Sequence, residues 1–258
     1  MLLAIDIGNT NLVFALCDGA HVRAEWRIRT DIHRTADEYA VWLFSLMERG
    51  GFKTGDIAAA IISSVVPDAN FGVKTFVRHY LKCEPQVIAT GQVDVGMPIL
   101  LDNPKELGAD RLINAFSAWS TYGQALIVID FGTATTFDVV TGKGEYAGGV
   151  IAPGINLSLE ALQHAAAKLH GIAIVHPEKV VGTNTTAAMQ SGIFYGYAGL
   201  IEGIVTRIKA ERGENLKVIA TGGLATLYAD ATTLIDTVDA DLTIRGLRII
   251  HERKLHAN

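Results

Sequence analysis

The start of the chain alternates short aliphatic segments with polar breaks. Residues 2–7 are almost entirely aliphatic, residues 8–11 interrupt them with Gly-Asn-Thr-Asn, and residues 12–16 are apolar again. Asp18 and Gly19 then supply a turn. Two apolar segments that are joined by a short glycine-containing break predict a β-hairpin.

A helix and a buried strand are predicted next. Thr35 and Glu38 have the spacing of a capping box, and apolar residues follow at helical spacing, so a helix should begin near Thr35. Residues 57–66 form an apolar run that ends at Pro67. A run of this length and composition is typical of a buried strand.

A further helix is predicted from the Asn103-Pro104-Lys105-Glu106 segment. Asparagine followed by proline is a helix-start signal, and apolar residues recur at helical spacing from position 109 to position 116. We expect this helix to end near Gly123, where the first half of the chain closes.

The second half of the chain repeats the opening. The segment Asp6-Ile7-Gly8-Asn9-Thr10-Asn11 is echoed by Asp130-Phe131-Gly132-Thr133-Ala134-Thr135, again between two apolar segments. Residues 61–65 are echoed in the same order by residues 218–223. Two echoes in one order favour an internal duplication, with one half over residues 1–123 and the other over residues 124–258.

Bulk composition excludes several classes of protein. Of the 258 residues, 49% are hydrophobic and 19% are charged, which is typical of a packed globular chain rather than a disordered one. The formal charge of −5, without basic clusters, argues against nucleic acid as a partner. Two cysteines without metal-ligand spacing favour a reducing compartment. We find no export signal or membrane span, and we expect a cytoplasmic protein.

Four glycines between Met189 and Lys209 lie at spacings of three or four residues, at positions 192, 196, 199 and 203. On a helix these positions share one narrow face. Each glycine disfavours a helix by roughly 1 kcal/mol relative to alanine, so a close neighbour should offset that cost. A packed partner helix is the first interpretation and a bound ligand is the second.

Candidate chemistry lies in the repeated Asp-Gly turns. Glycine beside small polar side chains allows backbone N–H groups to approach a phosphate closely. The turn after Asp6 is neither a Walker loop nor a dinucleotide fingerprint, and alone it could equally be a structural hairpin. Its repeat after Asp130 favours two turns that face each other across a cleft and hold one triphosphate. Carboxylates beside phosphates suit Mg²⁺ or K⁺ between them.

Several motifs in this order resemble those of the type III pantothenate kinase family, within the actin/Hsp70/sugar-kinase superfamily. They are Asp6 to Thr10, Asn103 to Arg111, Asp130 to Thr136, Gly148 to Gly154, Asn184-Thr185 and Ala220 to Ala225. The resemblance implies an α/β fold of two duplicated actin-like ATPase (ribonuclease H-like) domains with a central cleft. It also implies ATP-dependent phosphorylation of pantothenate to 4′-phosphopantothenate, the first step of coenzyme A biosynthesis.

The resemblance also assigns roles by position, and it makes Asp110 the general base. Residues expected at ATP are Asp6, Ile7, Gly8, Asn9, Thr10, Asn11, Leu12, Val13 and Thr133. Those expected at pantothenate are Gly108, Ala109, Asp110, Arg111 and Thr185. Asp6 is expected near the Mg²⁺ that accompanies ATP, and Asp130 on a monovalent cation, K⁺ or NH₄⁺. A homodimer with the substrate site near its interface is implied, and the glycine face is a candidate contact.

Some readings of these residues stay open. Asp110 could instead be a helix N-terminal residue that the macrodipole stabilises, and Arg111 could form a structural ion pair. Leu101 stands where the family usually has tyrosine, which puts the affinity for pantothenate in question. Two rival functions are another small-molecule kinase or phosphohydrolase of the superfamily and a nucleotide-binding regulatory protein without catalysis.

Overall fold

A computed structural model describes residues 1–89, 95–165 and 171–257. The chain divides into two compact units. The first unit contains Met1–Met97, Asp102–Ser117 and Asp241–Asn258, and the second contains Pro98–Leu101 and Ala118–Ala240. The predicted halves, residues 1–123 and 124–258, describe a sequence repeat and stay a prediction, because each compact unit is assembled from several segments.

The first unit is a five-stranded mixed sheet with helices. Its strands are β1 (Leu2–Ile7), β2 (Asn11–Asp18), β3 (His21–Arg29), β4 (Ala59–Ser64) and β5 (Gln86–Ala89), in the order β3-β2-β1-β4-β5. Its helices are α1 (Ala36–Arg49), α2 (Asn70–Tyr80), α3 (Ala109–Tyr122), which runs on into the second unit, and α7 (Leu242–Ala257). β1 is antiparallel to β2 and parallel to β4, which confirms the predicted hairpin.

The second unit repeats this sheet. Its strands are β6 (Leu126–Phe131), β7 (Ala134–Val140), β8 (Tyr146–Pro153), β9 (Lys217–Gly222) and β10 (Thr237–Val238), in the order β10-β9-β6-β7-β8. Its remaining helices are α4 (Ile155–Ala165), α5 (Thr185–Arg212) and α6 (Ala225–Ala229). None of the described helices has the length and apolar character that crossing a membrane requires.

The two sheets support the predicted duplication strand by strand. In each unit the first strand pairs with the second in antiparallel fashion and with the fourth in parallel. Asp6 pairs in register with Ser63 on β4, and Asp130 pairs with Thr221 on β9. The two sequence echoes therefore fall on structurally equivalent strands.

Alternating side chains of β1 build the core of the first unit. Leu3, Ile5 and Ile7 are fully buried in a cluster with residues of α1 and α2, including Phe76. Asp6 lies between Ile5 and Ile7 on this strand and is only partly buried. Because strand side chains alternate between faces, Asp6 leaves this core and points to the opposite side of the sheet.

Helix starts agree with the sequence in one case and differ in another. At α1 the side chain of Thr35 accepts from the Glu38 N–H and the Glu38 carboxylate accepts from the Thr35 N–H, which confirms the predicted capping box. The predicted start of the next helix, at Asn103, is wrong. A 3₁₀ turn covers Pro104–Glu106, Leu107 is extended, and α3 begins only at Ala109.

The four glycines of α5 lie on an open helix face. A Cβ added at Gly192, Gly196 or Gly199 would meet nothing within 4 Å, and one at Gly203 would meet only the end of the Arg207 side chain at 3.0 Å. Within the described residues, no other helix of this chain packs closely against this face, so the packed partner helix is not found inside the chain. Burial is instead supplied by the other faces, with Ile201 and Val205 at 0% exposure.

Lys82 should be a point of removable strain. It follows α2 and its cap residue Leu81 with a φ of 56°, a left-handed conformation that favours glycine. Replacing Lys82 with glycine should raise the free energy of unfolding by about 0.5–1 kcal/mol, measured by urea denaturation. Lys74→Gly, inside the same helix, should lower it by about 1 kcal/mol. If Lys82→Gly lowered the free energy of unfolding as Lys74→Gly does, the proposed strain at Lys82 would be contradicted.

Candidate active site

The turn between β1 and β2 is a compact, exposed loop. The Gly8 N–H donates to the Asn11 carbonyl oxygen at 3.1 Å. Thr30 holds the turn from outside, since its Oγ1 donates to the Gly8 carbonyl at 2.6 Å and its N–H to the Thr10 carbonyl at 2.9 Å. Asn9, Thr10 and Asn11 remain exposed. The backbone and amide groups of this turn can thus approach an anion from solvent.

The turn between β6 and β7 is the equivalent in the second unit and is one residue shorter. The Gly132 N–H donates to the Ala134 carbonyl at 3.1 Å, and Thr133 is exposed. The Gly154 N–H donates to the Thr133 carbonyl at 3.1 Å. A Cβ at Gly154 would overlap that same oxygen, so only glycine lets the end of β8 support the turn.

Asp130 sits beside Gly222 on the neighbouring strand. Gly222 has a φ of 91°, and an added Cβ would lie 2.7 Å from Asp130 Oδ1 and 2.6 Å from the Phe131 carbonyl oxygen. The Asp130 carboxylate and the Phe131 carbonyl oxygen therefore both lie close to the backbone of Gly222. Oxygen donors of this kind suit a hard cation, so these residues fit the monovalent ion expected at Asp130.

Replacing Gly222 with alanine should destabilise the second unit and displace Asp130. The methyl group would meet backbone oxygen and the φ would be strained, so we expect a loss of about 2–4 kcal/mol in the free energy of unfolding. Gly223→Ala is the matched control, because a Cβ there meets nothing within 4 Å. Equal unfolding midpoints for the two variants in guanidinium titrations would refute the close approach.

Asp110 lies in the first turn of α3, where the break at Leu107 and Gly108 places it. Its Oδ1 accepts from the Arg111 N–H at 2.8 Å. A Cβ at Gly108 would lie 2.6 Å from the same oxygen, so glycine leaves room for the carboxylate. The predicted helix from Asn103 would have put Asp110 two turns into a helix. The late start instead gives it the N-terminal position that favours a negative charge.

Asp6 and Asp110 interact electrostatically within the first unit. Burial raises the pKa of Asp6 to about 7, and the Asp110 charge adds to the rise. Burial likewise raises the pKa of Asp110, while the Arg111 N–H and guanidinium lower it. Two carboxylates that disfavour each other's ionisation mark a place where a cation would be strongly stabilised.

Ser63 is the polar neighbour of Asp6 on the adjacent strand β4. Its hydroxyl lowers the pKa of the Asp6 carboxyl, against the effect of burial. Its Oγ is nevertheless buried without a hydrogen bond of normal geometry in the described part of the chain. An unsatisfied hydroxyl beside the Asp6 carboxylate supplies a further oxygen ligand, so the two donors fit a hard divalent ion such as Mg²⁺.

A family model for type III pantothenate kinase matches residues 2–207. The chain belongs to that family. The type III pantothenate kinase of Paramagnetospirillum magneticum is 61% identical over 253 residues, covering 98% of this chain and 97% of that protein. The family member from Rhodospirillum rubrum is 57% identical over 253 residues and covers 98% of both.

Solved structures show the same fold at low identity. A protein described as a 2-dehydro-3-deoxygalactonokinase from Sinorhizobium meliloti aligns with a TM-score of 0.60 at 12% identity, covering 98% of this chain and 96% of that one. A protein described as a Baf family transcriptional activator from Campylobacter jejuni aligns with a TM-score of 0.59 at 19% identity, covering 98% of this chain and 99% of that one. These likenesses confirm the duplicated actin-like α/β fold of this pantothenate kinase family member.

The residues assigned by family resemblance occupy both units. The first unit holds those of the β1–β2 turn and of the start of α3, and the second holds Asp130, Thr133 and Thr185. Ile7 and Leu12 are fully buried, so their side chains are not accessible to a ligand. Thr185 is exposed as the first residue of α5, and Asn184 caps that helix by accepting from the Ala187 N–H at 2.9 Å.

Sequence reasoning missed three supporting residues: Thr30, Ser63 and Gly154. Thr30 lies 22 residues from the glycine carbonyl that it contacts, and no local pattern connects them. Ser63 belonged to an echo that was recognised only as a strand. Gly154 ended a family motif, but its contact with Thr133 depends on the register of β7 and β8.

Leu101 belongs to a segment that the second unit holds in place. The Tyr146 N–H donates to the Pro98 carbonyl and the Leu100 N–H donates to the Tyr146 carbonyl, both at 2.8 Å. Leu101 Cδ2 would lie 3.7 Å from a Cβ at Gly148. The departure from the family's tyrosine is therefore accommodated by packing against β8, and its effect on substrate affinity stays a prediction.

Proposed function

We propose that this protein transfers the γ-phosphate of ATP to the primary hydroxyl of pantothenate, giving 4′-phosphopantothenate at the first step of coenzyme A biosynthesis. Membership of the type III pantothenate kinase family supports the reaction. The observation that carries the proposal is the desolvated Asp110 carboxylate beside Asp6, in one unit with the β1–β2 turn.

Asp110 is proposed to accept the proton of the attacking hydroxyl. Burial raises its pKa towards the working pH, which makes the carboxylate a stronger base than an exposed aspartate. The Arg111 N–H fixes the orientation of the carboxylate. Since phosphoryl transfer depends mainly on positioning and charge neutralisation, a base that is held in place contributes more than a mobile one.

The β1–β2 turn, from Asp6 to Val13, is proposed to hold the ATP phosphates, with a contribution from Thr133. Asp6, with Ser63 beside it, would hold Mg²⁺, and Asp130 would hold K⁺ or NH₄⁺. Cations that bind there supply charge neutralisation for the phosphate oxygens. The chain's own part is to orient those oxygens through backbone N–H groups, which the glycines make accessible.

Pantothenate is proposed to bind along Gly108 to Arg111, with a hydroxyl contact from Thr185. The guanidinium of Arg111 has the fork of donors that suits the substrate carboxylate. A side chain at position 108 would collide with the Asp110 carboxylate. Glycine there leaves the backbone open, so the substrate could approach it closely. Three of these residues, Ala109, Asp110 and Arg111, form the first turn of α3, so the base and acceptor contacts would lie on consecutive residues there.

A homodimer is proposed to form through the open face of α5. Gly192, Gly196 and Gly199 expose bare helix backbone, and Val180 and Val181 beside this helix are 64% and 80% exposed. Small-residue faces let two helices approach closely. In light-scattering measurements the wild type should have the mass of two chains, and Gly196→Arg should give one. A wild-type monomer would contradict this. A cytoplasmic location is also proposed, and the two free thiols of Cys17 and Cys83 support a reducing compartment.

The reaction is tested by ADP release from purified protein with ATP and Mg²⁺. We expect turnover with pantothenate, and none with glucose or acetate as the acceptor. Replacing K⁺ with Na⁺ should lower the rate if Asp130 holds a monovalent ion. A folded protein that binds ATP but shows no pantothenate-dependent turnover in either salt would contradict the substrate assignment. It would favour a nucleotide-binding regulatory protein without catalysis.

A further inference from the structure

The C-terminal helix α7 packs against the elements that carry the two carboxylates. It contacts β1, which bears Asp6, and β4, which bears Ser63. It also contacts α3, which bears Asp110. This helix lies beyond the residues that the family model matches. Nothing in its own sequence points to chemistry.

A partly buried hydrogen bond joins α7 to α3 one helical turn after Asp110. The Thr243 Oγ1 donates to the Asn114 Oδ1 at 2.7 Å, and Asn114 is 1% exposed. Residues four apart lie on the same side of a helix, so Asn114 sits under Asp110. Because a buried acceptor is costly to leave without a donor, this bond restricts how α3 can slide or rotate against α7.

Gly246 brings the two helix backbones together at the next turn. A Cβ there would lie 2.7 Å from Ile113 Cγ2, 2.9 Å from the Ile113 carbonyl oxygen and 3.0 Å from Ser117 Cβ. Glycine is unfavourable inside a helix, and the close packing is the physical reason for it here. The contact leaves α3 little freedom to shift at this level.

We propose that Thr243 and Gly246 are positioning residues, which hold α3 so that Asp110 and the acceptor-binding residues keep their place relative to the β1–β2 turn. This inference rests on the proposed kinase function. It assigns to α7 a role in catalysis that works entirely through α3. The side chains of α7 need not touch substrate for this role.

The test compares Thr243→Val with Thr243→Ser. Valine has nearly the same shape but cannot donate to Asn114, whereas serine keeps the hydroxyl. We expect kcat/KM for pantothenate to fall roughly 10-fold in the valine variant, since small misplacements of catalytic groups are costly, and to recover in the serine variant. The KM for ATP should stay within about twofold, because the ATP turn is on β1 and β2.

Val77→Ala is the matched control for stability alone. Val77 is fully buried on α2 in a cluster without α3 residues. It should lower the melting temperature without changing kinetics in the folded enzyme. If Thr243→Val behaves in the same way, with a lower melting temperature and unchanged kcat/KM, the positioning role is refuted.

An activity-independent readout separates this inference from the proposed function. The Arg111 N–H donates to Asp110 Oδ1, so its amide resonance reports the geometry of the first turn of α3. It should shift in Thr243→Val and remain in place in Thr243→Ser and Val77→Ala. An unchanged resonance overturns the positioning role. A wild type without pantothenate-dependent turnover overturns only the kinase assignment.

Discussion

Replacing Asp110 with asparagine should lower kcat for pantothenate phosphorylation by about 1000-fold, within the range that general-base catalysis contributes. Asparagine keeps the shape of the side chain and can still accept from the Arg111 N–H, but it cannot take up the hydroxyl proton. Because substrate contacts are retained, KM for ATP should change little. Steady-state ADP release at saturating substrates measures the effect.

Asp102→Asn is the control for this prediction. Asp102 is an exposed acid shortly before the 3₁₀ turn, and its replacement should leave kcat within about twofold, because most surface substitutions have small effects. A turnover in Asp110→Asn above about a tenth of wild type would exclude the general-base role. Asp110 would then be a helix N-terminal residue that the macrodipole stabilises.

Replacing Asp6 with asparagine should stabilise the protein at pH 8 while abolishing its activity. The carboxyl has a pKa of about 7 in the folded state, compared with an ordinary value of 3.8. The ionised form is therefore disfavoured by folding. We expect the free energy of unfolding to rise by about 2 kcal/mol at pH 8. A shift of one pKa unit corresponds to about 1.4 kcal/mol. We take half of the full converted value, because the Asp6 side chain is partly exposed to screening solvent.

The sign of the pH dependence follows from proton linkage. Between pH 4 and pH 7 folded Asp6 keeps a proton that the unfolded chain releases, so wild-type stability falls as the pH rises through this window. Above the folded pKa both states are ionised and the whole penalty is present. The stability difference between Asp6→Asn and wild type should consequently be large at pH 8 and small near pH 4.

Urea unfolding at pH 4.5, 6 and 8 without nucleotide or Mg²⁺ measures this difference. Asp68→Asn, an exposed acid, is the control and should show no such trend. The double variant with Asp110→Asn should stabilise less than the sum of the two single variants, because each carboxylate raises the penalty of the other. A destabilised Asp6→Asn at pH 8 would contradict the desolvated pair.

The sequence by itself determined the repeated sheet and the motifs on it. Aliphatic segments broken by Asp-Gly turns are a local signal, because strand burial and turn formation depend on adjacent residues, and both predicted hairpins formed. The capping box at Thr35 and Glu38 was equally local. Residues of the candidate site could be assigned because they lie in continuous motifs that resemble a family.

Only the tertiary structure decided how those motifs are supported. The late start of α3 at Ala109, which puts Asp110 in a first turn, depends on packing that a helix-start signal at Asn103 does not contain. The raised pKa of Asp6 comes from burial, with a contribution from the Asp110 charge, and the bond between Thr243 and Asn114 joins residues 129 apart. Contacts between distant segments arise from burial and register, which act between elements, so no local pattern records them.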